Sequence, residues 1–249
     1  MPHRGHADVR ARLLLVISTG NGTHLRRWPG RVPYRSELVH PLHATGDGGM
    51  ADAKENLKTI RLSTSPNAAA LRQLEIGNIV YLDGIVYTGR EGVYTKVIQE
   101  GAELPIDLPA VSAANFHCSP AAAVNENGSY NLSAVTATAS FRFSKWIEKW
   151  LELSGAKLII GKGGMSSEDY RRLFVPKGAV YLTTVGYGTG ALLGRGVKKV
   201  RDAIWIEELG IAQAMWVFEV ENFGPLIVDS DLDGNSLFER ENQRISQGL

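Results

Sequence analysis

The chain has 249 residues, 44% of them hydrophobic and 21% charged, and no apolar run approaches the roughly 18–20 residues that a membrane-crossing helix needs. Residues 1–49 hold seven arginines and no lysine against three acids, a balance of +4, which leaves 20 basic and 23 acidic residues, or −3, from Met50 onward. A body of −3 carries no electrostatic footprint for nucleic acid, and one cysteine, Cys118, excludes both a disulfide framework within the chain and an iron–sulfur cluster held by this chain's own thiolates.

The first 49 residues are rich in Arg, His, Gly and Pro and show no sustained hydrophobic period, so they are expected to be disordered, an extension ahead of a domain spanning 50–249. Three origins fit: an over-extended gene start with Met50 as the initiator, an organelle transit segment, or a functional tail. The beginning "MADAKENLKTIRL" favours the first. His3, His6, His24, His40 and His43 are spaced too irregularly for a metal site, and the body keeps only His117. The lone thiol suits a reducing compartment, and the expected location is cytoplasmic.

Along the body, "KTIRLST" reads as a strand. "NIVYLDGIVYTG" reads as two more, with Asp83-Gly84 as the turn between them. "EGVYTKVIQEGA" reads as a short helix, and "AVSAANFHCSP" as a small-residue strand stopped by Pro120. "AVTATAS" continues as strand or loop into "FRFSKWIEKWLELSG", where Phe143, Trp146, Ile147, Trp150 and Leu151 recur at helical spacing and Gly155 supplies the stop. The two tryptophans read as core or subunit interface. "AVYLTT", "VRDAIWIEEL" and "MWVFEVENFGPLIV" add further elements. Asp229-x-Asp231-x-Asp233-Gly234 resembles the start of a calcium loop, but Arg240 stands where the twelfth-position acid belongs, so a hairpin turn at Asp233-Gly234 is the reading. The fold class is α/β, a layered sheet with flanking helices.

In "AKLIIGKGGMSSEDYRRLF" an apolar run ends at Gly161-Lys162-Gly163-Gly164, and cap-type serines then open a helix. Lys162 precedes its glycine pair, so the spacing of a nucleotide phosphate loop is not met. Two readings remain at this point: a glycine-rich turn with a solvated lysine, or a site for a small anion such as a carboxylate. Arg90 in "YTGRE", His117 in "FHCSP", and Thr138, Ser140 and Arg142 in "TATASFRF" join Lys162 at predicted loops and strand ends. Three cations with two hydroxyls suit a small dianion, because arginine grips a carboxylate through paired hydrogen bonds and lysine adds a point charge. Each arginine taken singly also reads as half of a surface ion pair.

From about Ile60 to Phe238 the chain resembles the β subunit, or C-terminal domain, of class I fumarate hydratase and L(+)-tartrate dehydratase. The segments that carry the resemblance are "YTGREGVYTKVIQEG", "FHCSP", "TATASFRF", "IIGKGG" and "MWVFEVENFGPLIVDSDLDGNSLF". Relative to that family, Thr136-Ala137 replaces Gly-Pro, Ser119 replaces a glycine, Glu91 an aspartate and Tyr94 a histidine. The resemblance implies a swivelling β/β/α fold and an iron–sulfur hydro-lyase that hydrates fumarate to malate, with tartrate or a related dicarboxylate as the alternative substrate. It implies a [4Fe-4S] cluster held by a cysteine-rich α subunit, with one iron open as a Lewis acid, in an α2β2 assembly. It assigns Arg90, Arg142 and Lys162 to substrate carboxylates, His117 and Ser140 to substrate binding, and Thr138, supported by Lys162, to proton transfer at carbon. A non-catalytic assembly relative and a stand-alone dicarboxylate-binding domain are the two other classes that the same residues allow.

Overall fold

The computed structural model describes the backbone of residues 16–19 and 22–25, and residues 57–248 apart from 105, 127, 187 and 188. Strands β1 (Val16–Thr19) and β2 (Gly22–Leu25) pair antiparallel as a short hairpin. The remainder of the expected N-terminal extension lies outside the described residues. The chain divides into two units after Ala53, and among the described residues the second unit holds every other helix and strand.

Its sheet begins with β3 (Thr59–Ser63), whose alternating exposure leaves Ile60 and Leu62 on the core side. After helix α1 (Ala68–Leu71), which Asn67 caps through its side chain, comes β4 (Ile79–Thr88), parallel to β3. The expected turn at Asp83-Gly84 is absent: β4 is one strand of ten residues. Gly84 has φ +129° and faces an irregularity in the partner strand, where Asn222 sits at φ 53°. The Asp83 carboxylate accepts the Asn222 N–H at 2.6 Å. The Asp-Gly pair therefore serves a bulge, where the side-chain acceptor satisfies the backbone group that the irregular ladder leaves free.

Helix α2 (Glu91–Tyr94) continues as a wider π-type turn through Gln99, and α3 (Leu108–Val111) precedes β5 (Ala114–Phe116). Strands β6 (Cys118–Val124) and β7 (Tyr130–Ala137) form a separate antiparallel hairpin. Pro120 lies inside β6 and does not stop it. In a two-stranded sheet every strand is an edge strand, which is where proline is tolerated. A short 3₁₀ turn, Ser140–Phe143, leads into α4 (Ser144–Ser154), and Gly155 closes that helix at φ 65°.

Strand β8 (Leu158–Gly161) is followed by α5 (Ser167–Asp169), which widens through Tyr170–Phe174, and by β9 (Val180–Thr184). Then come α6 (Thr189–Gly196), β10 (Val197–Ile204), α7 (Ile206–Leu209) and β11 (Met215–Ser230). The terminal helix α8 (Leu237–Ser246) is capped by Ser236. The expected hairpin at Asp233-Gly234 is instead a turn from strand into helix, with one antiparallel bridge, Ser230 to Ser236.

The seven strands run β10-β11-β9-β8-β5-β4-β3, and β11 also pairs with β4, so the pairing returns upon itself through β4, β5, β8, β9 and β11. Strands β3, β4, β5, β8 and β9 are mutually parallel where they pair, whereas β11 runs antiparallel to β4, β9 and β10. Both faces are apolar. Leu158 and Ile160 join the cluster that holds Val80, Leu82, Val135 of the hairpin and Leu193 of α6, while Ile159 joins the cluster with Tyr94, Trp146, Trp150 and Tyr170. This double coverage explains why β8 reads as a continuous hydrophobic run. Trp146 and Trp150 are core residues, buried against Tyr94, Phe143 and Tyr87.

Candidate functional site

Three neighbouring parallel strands end on three of the residues singled out by sequence. β4 runs out through Gly89 to Arg90, β5 to His117, and β8 to Lys162. The carboxyl ends of adjacent parallel strands are where open α/β sheets bind ligands, because the loops leaving them diverge and open a crevice. The segment after β7 enters that opening. Thr138 N–H donates to His117 C=O at 2.7 Å, Lys162 N–H donates to Thr138 C=O at 3.2 Å, and Ser140 N–H donates to Lys162 C=O at 3.3 Å. Residues 138–140 thus wedge between the end of β5 and the end of β8, with Arg142 two residues on.

The cations differ in their settings. Arg90 is half-buried and donates through Nη1 to the Ala212 carbonyl at 2.6 Å, while its Nε is buried without a partner. Burial, and then the neighbouring Arg142, push its guanidinium down from the ordinary range, partly offset by Cys118 and Glu91. Arg142 is exposed and lies 3.9 Å from Glu91, a solvent-screened pair of little energetic weight. Lys162 is exposed and, among the described residues, has no acidic partner within ion-pair distance. Its loop turns on Gly163 and Gly164, both at positive φ, +76° and +71°, a conformation that glycine adopts without steric cost.

His117 and Ser140 are fully buried. The imidazole Nε2 lies 2.8 Å from Tyr94 Oη and Nδ1 lies 2.6 Å from Ser140 Oγ. Tyr181 Oη donates to Ser140 Oγ at 2.7 Å, and the Asn115 side-chain amide lies 3.1 Å from Tyr94 Oη. Burial, reinforced by the Arg90 charge, pushes His117 down to about 3, and burial raises Tyr94 and Tyr181 above the ordinary phenol range. Gly161 is required here: a Cβ on it would fall onto Ser140 Oγ and stand 2.5 Å from Tyr181 Oη. Sequence reasoning passed over Tyr181 and Asn115, and met Tyr94 only as a departure from the family pattern. The signal available for the first two was their position at or near the ends of apolar parallel strands.

A second buried group sits behind the lysine loop. Tyr170 Oη donates to the Asp229 carboxylate and accepts the Met165 N–H at 2.8 Å, while Asp229 Oδ1 accepts the Phe238 N–H at 3.2 Å. Burial pushes Asp229 up from its ordinary value of 3.8, against the hydrogen bonds from Tyr170, Phe238 and Leu237. The carboxylate thereby ties the loop after Lys162 to the start of α8.

The described residues do not offer a metal centre. Among the described residues no group of three or more His, Cys, Asp or Glu side chains converges, and Cys118 is buried with its thiol pushed well up by burial. A [4Fe-4S] cluster does not fit this donor set. Among the described residues no helix is long and apolar enough to cross a membrane.

Comparison with known proteins adds a family. The family model described as the fumarase C-terminus matches residues 36–241. A Methanocaldococcus jannaschii protein, provisionally named an L(+)-tartrate dehydratase subunit beta, is 36% identical over 182 residues, covering 72% of this chain and 91% of its own length. The L(+)-tartrate dehydratase subunit beta of Escherichia coli is 31% identical over 187 residues, covering 74% and 88%. A Geobacillus stearothermophilus protein provisionally named a class I fumarate hydratase is 29% identical over 197 residues, covering 79% of this chain but 37% of its own longer one.

Proposed function

Since this chain belongs to the fumarase C-terminus family, we propose that it is the β subunit of a hydro-lyase that adds or removes water across a four-carbon dicarboxylate. The observation that carries the reading is the convergence of Arg90, Thr138, Arg142 and Lys162 at the carboxyl ends of β4, β5 and β8. Arg90 and Arg142 bind the substrate carboxylates, and Lys162 adds a compact positive charge. Thr138 exchanges the proton at the carbon beside a carboxylate. A threonine hydroxyl is a weak base, and the Lys162 ammonium, whose backbone is bonded to that of Thr138, stabilises the alkoxide. The same cations stabilise the extra negative charge that the substrate gains when the proton leaves.

In this reading the iron–sulfur cluster and its cysteines belong to a separate α subunit in an α2β2 assembly. Residues 50–249 form the working domain, with 1–49 an extension to it. The sheet with the hairpin and α6 on one face and α2 and α4 on the other supports the swivelling β/β/α arrangement. Fumarate and malate are the first substrate pair. L(+)-tartrate is the second reading, favoured by relatives of that name that match over nearly their full length.

The experiment is anaerobic co-purification of the tagged chain with a cysteine-rich partner from its own host, followed by assays of fumarate hydration and L(+)-tartrate dehydration. Turnover of either substrate by an iron-containing complex is expected. A chain that purifies alone, colourless and inert with both substrates would overturn the hydro-lyase reading.

A further inference from the structure

We propose that Tyr94 and Tyr181 are positioning residues that hold the Thr138–Arg142 segment between the Arg90 turn and the lysine loop, through a neutral His117 and Ser140. The inference rests on the hydro-lyase reading above for its kinetic consequence, but its geometry stands alone. Both nitrogens of His117 are engaged by hydroxyls, so none is left for a substrate carboxylate. The charged and titratable side chains facing the ring and its hydroxyl partners are Arg90 from the turn after β4, Tyr94 from α2 with Tyr87 of β4 beside it, and Tyr181 from β9 with Tyr170 and Asp229 beside it, and no carboxylate touches the imidazole. The Phe143 ring covers it at a centroid distance of 4.8 Å.

The direction of the hydrogen bonds follows from the donors. Tyr181 passes its own proton to Ser140 Oγ. The Ser140 proton then has His117 Nδ1 as its acceptor, which puts the imidazole proton on Nε2, facing Tyr94 Oη. With Tyr181 donating to Ser140, an Nδ1–H imidazole would leave the Ser140 proton without an acceptor, because Tyr181 and His117 are the two partners of that hydroxyl among the described residues. At the other end, Asn115 Oδ1 is buried without a partner while its amide stands 3.1 Å from Tyr94 Oη. A half-turn of that amide gives the Tyr94 proton an acceptor.

One chain of hydrogen bonds therefore runs from Tyr181 of β9 through Ser140 and His117 to Tyr94 in the helix that follows Arg90. Ser140, in its middle, lies two residues from Thr138 and two from Arg142. Misplacing a reacting group by about an ångström can cost about a hundredfold in rate, so a device that fixes this segment acts on the chemical step.

The test uses the full chain labelled with ¹⁵N-histidine. His117→Asn identifies the His117 signals against the five other histidines. Wild type is expected to show a neutral Nε2–H imidazole from about pH 8 down to about pH 5. Tyr181→Phe, which keeps the ring in the core and frees the Ser140 hydroxyl to turn, is expected to abolish that single tautomer. In the complex with its partner, Tyr94→Phe should lower kcat about tenfold or more while KM moves less than about threefold. Tyr181→Phe should do the same from the opposite end. Protonation of wild-type His117 within that pH range, an Nδ1–H tautomer, or a changed spectrum with unaltered kcat in both tyrosine variants would each overturn the proposal. If neither substrate turns over in the wild-type complex, the hydro-lyase reading fails and the spectra alone decide the relay.

Discussion

Two loops of this molecule leave a strand for a helix with similar glycine-marked sequences, Gly-Lys-Gly-Gly after β8 and Asp-Leu-Asp-Gly after β11. Both look like ligand loops, and they differ in what each has left over. In the aspartate loop, Asp231 Oδ1 accepts the N–H groups of Asp233 and Asn235 at 3.1 and 3.0 Å, and Oδ2 accepts Asn235 Nδ2 at 2.8 Å. Its carboxylate is consumed by its own turn. In the lysine loop the backbone is satisfied from outside, by Thr138, Ser140 and Tyr170, and the ammonium is exposed with no acidic partner among the described residues. A motif is available for ligand chemistry only after local hydrogen bonds have been counted.

The contrast is sharpest in turnover. Lys162→Ala should lower the dicarboxylate activity of the assembled complex about a hundredfold or more, with assembly intact by size-exclusion chromatography. Turnover near the wild-type level would remove Lys162 from the site and dissolve the comparison. Asp231→Ala should do the reverse, lowering the unfolding free energy by about 1–3 kcal/mol in urea while kcat stays as it was. A lost activity with unchanged stability would show that the aspartate loop is also a ligand loop.

Acidity separates the two regions by sign. His117, beside the lysine loop, is held at about 3 against an ordinary 6.5. The unfolded chain therefore binds the proton first, and stability is lost as pH falls below about 6.5, by up to about 1.4 kcal/mol per pH unit. Asp229 is pushed up from 3.8, so its contribution is fully present below that value and is lost as pH rises through its folded value. Urea midpoints across pH for His117→Asn and Asp229→Asn should flatten opposite limbs of the profile. Two variants flattening the same limb would contradict the assignment. The smallest change is expected from Glu91→Gln, which frees Arg142 from a solvent-screened pair and should move KM by less than about threefold.

Much of this was written locally. The apolar period of residues 143–151 and the glycine behind it specified α4, since one buried stripe and a left-handed stop suffice for a helix. The apolar run before Lys162 and the serines after Met165 specified strand, loop and capped helix. Candidate residues at the expected loop boundaries were also readable, because strand ends are where polar groups interrupt apolar runs. Asp83-Gly84 and Pro120 misled for one common reason. A turn residue and a bulge residue need the same backbone freedom, and a proline is excluded from a strand only where its edge is paired. Pairing partners lie far away in sequence: Asn222 for Asp83, and β7 for Pro120.

The sequence by itself therefore determined the local elements, the separation of a basic extension from a slightly acidic body, and the identity of the cations at the ends of strands. Only the tertiary structure decided which of those residues meet. The wedge of Thr138–Ser140 between β5 and β8, and the enclosure of His117 by Tyr94, Ser140 and Phe143, depend on strands brought together by the parallel order β4-β5-β8-β9. Burial then fixed the roles. A histidine sealed from water has both nitrogens engaged, whereas the Lys162 side chain reaches solvent with no acidic partner among the described residues.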